Sequence, residues 1–182
     1  GNIAVALDNI YLIDRIVQKE LETERHRMET EKACEALSRY VSPQIASDIL
    51  SKGISFTGER TRATILFFDL RNFTAFSETM RAEEVVALLN HIFTDIVDII
   101  FEHSGTLDKF LGDGLMAVFG VPIATGSDEQ NAVMAALKIR DAVDELNRFR
   151  TLENLPPIKF GIGIHTGEVV AGNVGSKKRV DY

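Results

Sequence analysis

Apolar positions along this chain change their spacing several times, and each change predicts an element. Ile3, Leu7, Ile10, Ile13 and Val17 recur every three or four residues, the stripe of a helix. Beyond Lys19 the sequence turns highly charged, and the apolar positions thin to Leu21, Met28 and Leu37. Val17, Leu21 and Met28 follow a heptad seam in which Glu24 and Glu31 stand where apolar side chains would hold a partner better. A helix polar nearly all round is not stable alone. The spacing therefore predicts a dimeric coiled coil with a weak middle; a solvated single helix is the plainer alternative. Ser42-Pro43 ends or kinks this helix. Pro43 then opens a short helix, capped by Ser42, that runs through Leu50 and closes at Gly53.

The globular part starts near Thr61. Residues 62–70 (RATILFFDL) are rich in β-formers and apolar on both faces, which predicts a buried central strand. Val85, Leu89, Ile92, Ile96 and Ile100 predict a helix over 83–103. Two short apolar runs, 105–111 and 115–119, flank Gly112-Asp113-Gly114 and read as a hairpin. Ser127 with Gln130 predicts a capping box for a helix to about Arg150, which Pro156-Pro157 breaks. Ile158, Phe160, Ile162 and Ile164 alternate with Lys159, Gly161 and Gly163, a strand with one bare face. Residues 168–174 predict a further strand. The order is β-α-β-β-α-β, an α+β fold of the ferredoxin-like, split βαβ kind, with a long helix or coiled coil at its N-terminal side.

Composition narrows the function. At 182 residues with 45% apolar and 26% charged, the chain has globular composition and room for a core. A single cysteine, Cys34, excludes a disulfide framework and a multi-cysteine zinc site, and it fits a reducing, cytoplasmic compartment. The net charge of −7 disfavours nucleic-acid binding, which needs clustered Lys and Arg. Any polyphosphate bound here would need metal cations for much of its charge balance. No stretch approaches the ~18 apolar residues of a membrane span, and no signal peptide is visible.

Two acidic residues stand out. Asp69 ends an otherwise apolar strand, where an ionised carboxylate without a partner is costly. Asp113 lies at the tip of the hairpin. In a split βαβ sheet the end of the first strand and the tip of the central hairpin are neighbours. Two carboxylates meeting there would raise each other's pKa unless a cation held them, and hard oxygen ligands suit Mg²⁺ or Mn²⁺. These residues alone leave another reading open, with Asp113 an ordinary turn residue and Asp69 a cap on the next loop. The loop Leu70-Arg71-Asn72-Phe73-Thr74 could offer backbone N–H groups to a polyphosphate or be a plain strand-to-helix connection. Lys109 reads as a solvated strand charge unless a ligand or a second subunit faces it. His165 reads as a hydrogen-bonded residue at a strand end, and Lys177, Lys178 and Arg179 as a solvated basic run.

Three segments in register carry a resemblance. ATILFFDLRNFTAFSE, GTLDKFLGDGLMAVFG and FGIGIHTGEVVAGNVGS are similar, in this order and spacing, to the catalytic domain of class III nucleotidyl cyclases, the adenylate and guanylate cyclase family. The likeness spans residues 39–182 and begins with RYVSPQIASDIL. Residues 1–38 read as a helical signalling linker, whose start, IAVALDNIYLID, resembles the last helix of a GAF sensor domain.

The resemblance implies a metal pair held by Asp69 and Asp113, with the Leu70 carbonyl helping to hold the second of two divalent cations. It implies that the backbone of Asn72, Phe73 and Thr74 cradles the β- and γ-phosphates. Lys109 matches the purine-selecting position, where Lys goes with adenine and Glu with guanine. The implied activity is conversion of ATP to 3′,5′-cyclic AMP and pyrophosphate at a homodimer interface, under control of an upstream sensor domain. A guanylate cyclase and a catalytically silent nucleotide-binding or dimerisation unit are the alternatives. The family's second purine-selecting residue, and the Asn and Arg that orient the ribose and stabilise the transition state, match positions after Tyr182. A chain of these 182 residues alone is therefore expected to turn over ATP slowly or not at all.

Overall fold

The computed structural model describes residues 2–38, 41, 46, 47, 49, 50, 59–171, 174–176 and 179–181. The Ser42 cap, Pro43, Gly53, Lys177 and Lys178 lie outside the described residues. Helix α1, Asn2–Leu37, is one unbroken helix. Ile13, Val17, Leu21 and Met28 are all exposed along it in the single chain. At its end the Ser38 N–H and hydroxyl both donate to the Cys34 carbonyl, at 2.9 and 2.8 Å. Val41 then makes an antiparallel bridge to Thr106.

The body is an antiparallel sheet of four strands in the order β2-β3-β1-β4. They are β1 (Glu59–Leu70), β2 (Thr106–Phe110), β3 (Gly114–Phe119) and β4 (Phe160–Ala171). A short helix α2 (Phe73–Ser77) and a long one, α3 (Ala82–Glu102), join β1 to β2, and α4 (Asp128–Leu152) joins β3 to β4. This is the predicted βαββαβ order. A small hairpin, β5 (Val174–Ser176) and β6 (Arg179–Asp181), follows.

Strand β1 is central, and toward its C-terminal end only one of its faces is covered. Thr64, Leu66, Phe68 and Leu70 are buried, whereas Ile65 is half-buried and Phe67 and Asp69 are exposed. The buried face packs on Ile92, Ile96 and Ile100 of α3 and on Ala132, Ala135, Ile139 and Val143 of α4. The run that is apolar on both faces thus has one face that this chain leaves open.

Two local expectations change. Residues 158–164 and 168–174 do not form separate strands. Residues 160–171 are one strand, because β1 runs 12 residues and pairs with it from Leu70↔Phe160 to Glu59↔Ala171. Ile158 lies before it, buried. Helix α4 is not opened by the Ser127 side chain, which makes no capping bond. The Asp128 carboxylate instead accepts hydrogen bonds from the Thr125 N–H and hydroxyl, at 3.1 and 2.8 Å. A carboxylate is the better acceptor and also suits the positive end of the helix.

Tight packing where α3 returns to β2 gives one stability prediction. A Cβ on Gly105 would stand 2.7 Å from Ile100 Cγ2 and from the Phe119 ring, both fully buried. Gly105→Ala is expected to cost about 1–3 kcal/mol by overpacking. Urea melts would show it as a lower midpoint at unchanged slope, and an unshifted midpoint would refute it.

Candidate active site

Residues on β1 alternate between the helix-covered face and the open one, and this alternation puts Asp69 on the open face at the strand's end. Its direct neighbours across the sheet are both glycines, Gly114 on β3 and Gly161 on β4. Neither neighbour puts a side chain of its own beside the carboxylate. At Gly114 the space is needed, because a Cβ there would lie 2.5 Å from the Phe68 carbonyl oxygen and 3.2 Å from Asp69 Oδ1. Asp113 precedes Gly114 at the hairpin tip, which closes through Leu111 N–H to Gly114 O at 2.8 Å. Gly112 takes φ +72° at this tip, a left-handed value that glycine adopts without strain. The Leu70 N–H donates to the Asp113 carbonyl at 3.4 Å. Asp69 and Asp113 therefore occupy adjoining strand ends. Asp69 is exposed, so the expected burial cost does not arise.

Among the described residues no three His, Cys, Asp or Glu side chains converge as a metal cluster. The oxygen donors at this rim are two carboxylates and the backbone. That set fits Mg²⁺ or Mn²⁺, which take one or two carboxylates and complete their shell with water and substrate phosphates.

Beyond Leu70 the chain turns sharply. Asn72 is left-handed (φ 56°, ψ 31°), and α2 begins at the next residue. The first N–H groups of such a turn have no intrahelical partner. Phe73 and Phe76 stack with centroids 5.9 Å apart. Between this loop and the segment Pro157–Lys159 lies a cavity of 290 Å³, which Arg71, Asn72 and Phe73 help to line.

The far wall of the cavity is held by α4. Asn147 pairs its amide with the backbone of Ile158, donating to the carbonyl at 2.9 Å and accepting from the N–H at 2.7 Å. Arg150 donates to the Pro156 carbonyl at 2.9 Å, and its guanidinium lies 5.4 Å from the centroid of the Phe76 ring. Burial lowers the Arg150 pKa, with Glu153 opposing. Sequence reasoning missed both residues. The available signal was an Asn and an Arg three apart on a helix that ends just before Pro-Pro.

Lys109 is turned to the open face by an irregularity. The ladder between β2 and β3 pairs Leu107 with Ala117 and then Lys109 with Met116, so Asp108 is an extra residue in a bulge. Regular alternation would have set Lys109 opposite Leu115, on the helix-covered face. The bulge puts it in the row of Met116, Phe67 and Gly163 instead, on the open face that carries Asp69. It lies two strand spacings from β1, roughly 10 Å. The ammonium is 3.6 Å from Asp108 Oδ2, whose side chain is only 2% exposed.

His165 does not end a strand. It sits exposed in mid-β4, opposite Ile65 and four residues from the Asp69 row. Arg179 begins β6.

The family profile described as the adenylate and guanylate cyclase catalytic domain matches residues 57–182. The chain belongs to this family, the class III nucleotidyl cyclases. Among individual proteins, it is 33% identical over 144 residues to adenylate cyclase 1 of Rhizobium meliloti, covering 76% of this chain and 22% of the relative. An uncharacterized protein of Mycobacterium tuberculosis is 32% identical over 154 residues, covering 85% and 27%. The chain thus spans about a quarter of the length of these curated relatives. Of solved structures, the guanylyl cyclase Cya2 aligns at TM-score 0.64 and 46% identity, over 69% of this chain and 64% of that one. The adenylyl cyclase CyaB of P. aeruginosa aligns at TM-score 0.65 and 34% identity, over 68% and 65%. No helix among the described residues is long and apolar enough to cross a membrane.

Proposed function

We propose that this domain cyclises ATP to 3′,5′-cyclic AMP with release of pyrophosphate, at a site completed by a second copy of the chain. The observation that supports the reading is the shared open face, where a bulge turns Lys109 to the same side of the sheet as Asp69. An ammonium group can only donate. Adenine N1 is an acceptor, whereas guanine carries an N1–H that an acidic residue would take. The likeness to Cya2, a guanylyl cyclase, favours the second reading of GTP as substrate.

Asp69 and Asp113, with the Leu70 carbonyl, would hold two divalent cations. When bound, such ions supply positive charge to the phosphate oxygens and acidify the attacking 3′-hydroxyl. Backbone amides of Asn72, Phe73 and Thr74 would cradle the β- and γ-phosphates, and Asn147 and Arg150 keep that cavity's far wall in place. The triphosphate is thereby aligned so that the 3′-hydroxyl faces its own α-phosphate, and positioning supplies much of the rate.

A homodimer would cover the exposed Phe67 and Ile164 on the open face. Lys109 of the second copy would then meet the purine of a nucleotide held at this rim. Residues 1–38 would serve as a coiled-coil linker from an upstream sensor domain to a catalytic unit over 39–182, and a cytoplasmic setting supplies the ATP.

Incubating the full-length protein with ATP or GTP and Mg²⁺ or Mn²⁺ tests this. Cyclic AMP is the expected main product, from a species that sediments as a dimer. Cyclic GMP as main product would establish the second reading, and no cyclic nucleotide from either substrate would overturn both.

A further inference from the structure

The arginine that follows the Asp69–Leu70 pair has no role in the site as described so far. Arg71 lies just past the end of β1, and its backbone N–H donates to the Lys159 carbonyl at 2.7 Å. Its side chain folds back across β4. A Cβ built on Gly161 would stand 2.5 Å from one terminal guanidinium nitrogen and 2.8 Å from Nε. Gly161 is the residue directly opposite Asp69. The guanidinium therefore occupies the side-chain space of Gly161, on the same face as the Asp69 carboxylate. Arg71 and Lys159 both line the 290 Å³ cavity beside Asn72 and Phe73.

Among the described residues several arginines pair with carboxylates, and Arg71, like Arg60 and Arg150, does not. Arg62, Arg81, Arg140 and Arg148 each have a carboxylate oxygen within 3.1 Å. Among the described residues no carboxylate pairs with Arg71, although the chain carries a net −7. We propose that Arg71 is a phosphate-binding residue, whose guanidinium, seated on Gly161, receives the terminal phosphates of the substrate's triphosphate. The proposal rests on the cyclase reading above and adds a residue to it.

Charge balance supports the assignment. A triphosphate of about −4 together with two carboxylates leaves about −6, and two divalent ions would return about +4. Arg71 and Lys159 supply the remaining two positive charges. A planar guanidinium suits this task better than a lysine, because it can give two parallel N–H bonds to one phosphate. Gly161 is part of the arrangement, since any side chain there would push the guanidinium off its seat.

The test uses the full-length protein with three substitutions, Arg71→Gln, Arg71→Lys and Gly161→Ala. Gly161→Ala keeps every charge and meets only the movable end of a long side chain, so the fold survives while the guanidinium shifts. Calorimetry with inorganic tripolyphosphate and Mg²⁺ reads phosphate binding directly. KM for ATP and inhibition by AMP, which lacks the outer phosphates, provide the contrast. Arg71→Gln is expected to weaken tripolyphosphate binding and raise KM roughly 10- to 100-fold while leaving AMP inhibition unchanged. Arg71→Lys and Gly161→Ala should fall between it and the unmodified protein. Tripolyphosphate binding and KM unchanged in Arg71→Gln would overturn the inference while the cyclase reading stood. An unmodified protein that binds no tripolyphosphate and cyclises no nucleotide would bring down the cyclase reading, and this inference with it.

Discussion

Asp69→Asn is expected to leave the domain folded and to cut cyclic-nucleotide formation by about 10³-fold or more. The first half of this follows from exposure. The side chain stands on the open face between two glycines, so its replacement removes no packing. The second half follows from the donor set. With two carboxylates proposed to hold the cations, an amide in place of one would halve the anionic charge available to them. Losing a single preorganised charge contact in a reacting centre commonly costs 10²–10³ in rate, and here it affects the ions that hold the phosphates. Asp113→Asn should behave alike, and the double variant should be hardly worse than either single one, because the two act as a unit. Turnover with Mg²⁺ and with Mn²⁺, beside a thermal melt of each variant, makes the check. If Asp69→Asn kept more than about a tenth of the rate with an unshifted melt, the rim would not be the reacting centre.

Lys109→Gln is the second large effect, and it should appear in selectivity. Removing the only-donating ammonium is expected to lower kcat/KM for ATP by about 10- to 100-fold, with little change for GTP. Glutamine is the informative replacement. Glutamate would place a second carboxylate beside Asp108, which is buried and already faces the ammonium at 3.6 Å, so lost activity could reflect lost structure. Binding of tripolyphosphate should not move, because Lys109 acts at the other end of the nucleotide. An unchanged ratio of ATP to GTP efficiency would remove Lys109 from purine selection.

Much of this was legible in the sequence, for identifiable reasons. The isoleucines of α3 repeat at helical spacing, and the strand and hairpin are marked by composition and glycine, so the element order and the adjoining strand ends of Asp69 and Asp113 follow from pattern and topology. What was not legible depends on partners distant in the chain. The continuity of β4 through His165 is imposed by the length of β1. The Asn147 and Arg150 bonds reach 11 and 6 residues along the chain to a loop with no pattern of its own. The open face of β1 looks in sequence like a buried one, since Ile65 and Phe67 are as apolar as Leu66 and Phe68. A heptad seam around Val17, Leu21 and Met28 would need a second chain to form. The bulge at Asp108 was hidden because one supernumerary residue inverts the parity on which strand reading depends.

That inversion limits what can change in this part of the molecule. Over Thr106–Phe110 the pairing of each residue matters as much as its chemistry, because Asp108 left out of the ladder decides which side of the sheet Lys109 and Phe110 face. Exchanges of one amino acid for another leave Lys109 aimed where it is. Pairing Asp108 regularly opposite Met116 would send the amine inward and turn Phe110 out to the open face, so the direction in which Lys109 faces is guarded by register as well as by chemical identity.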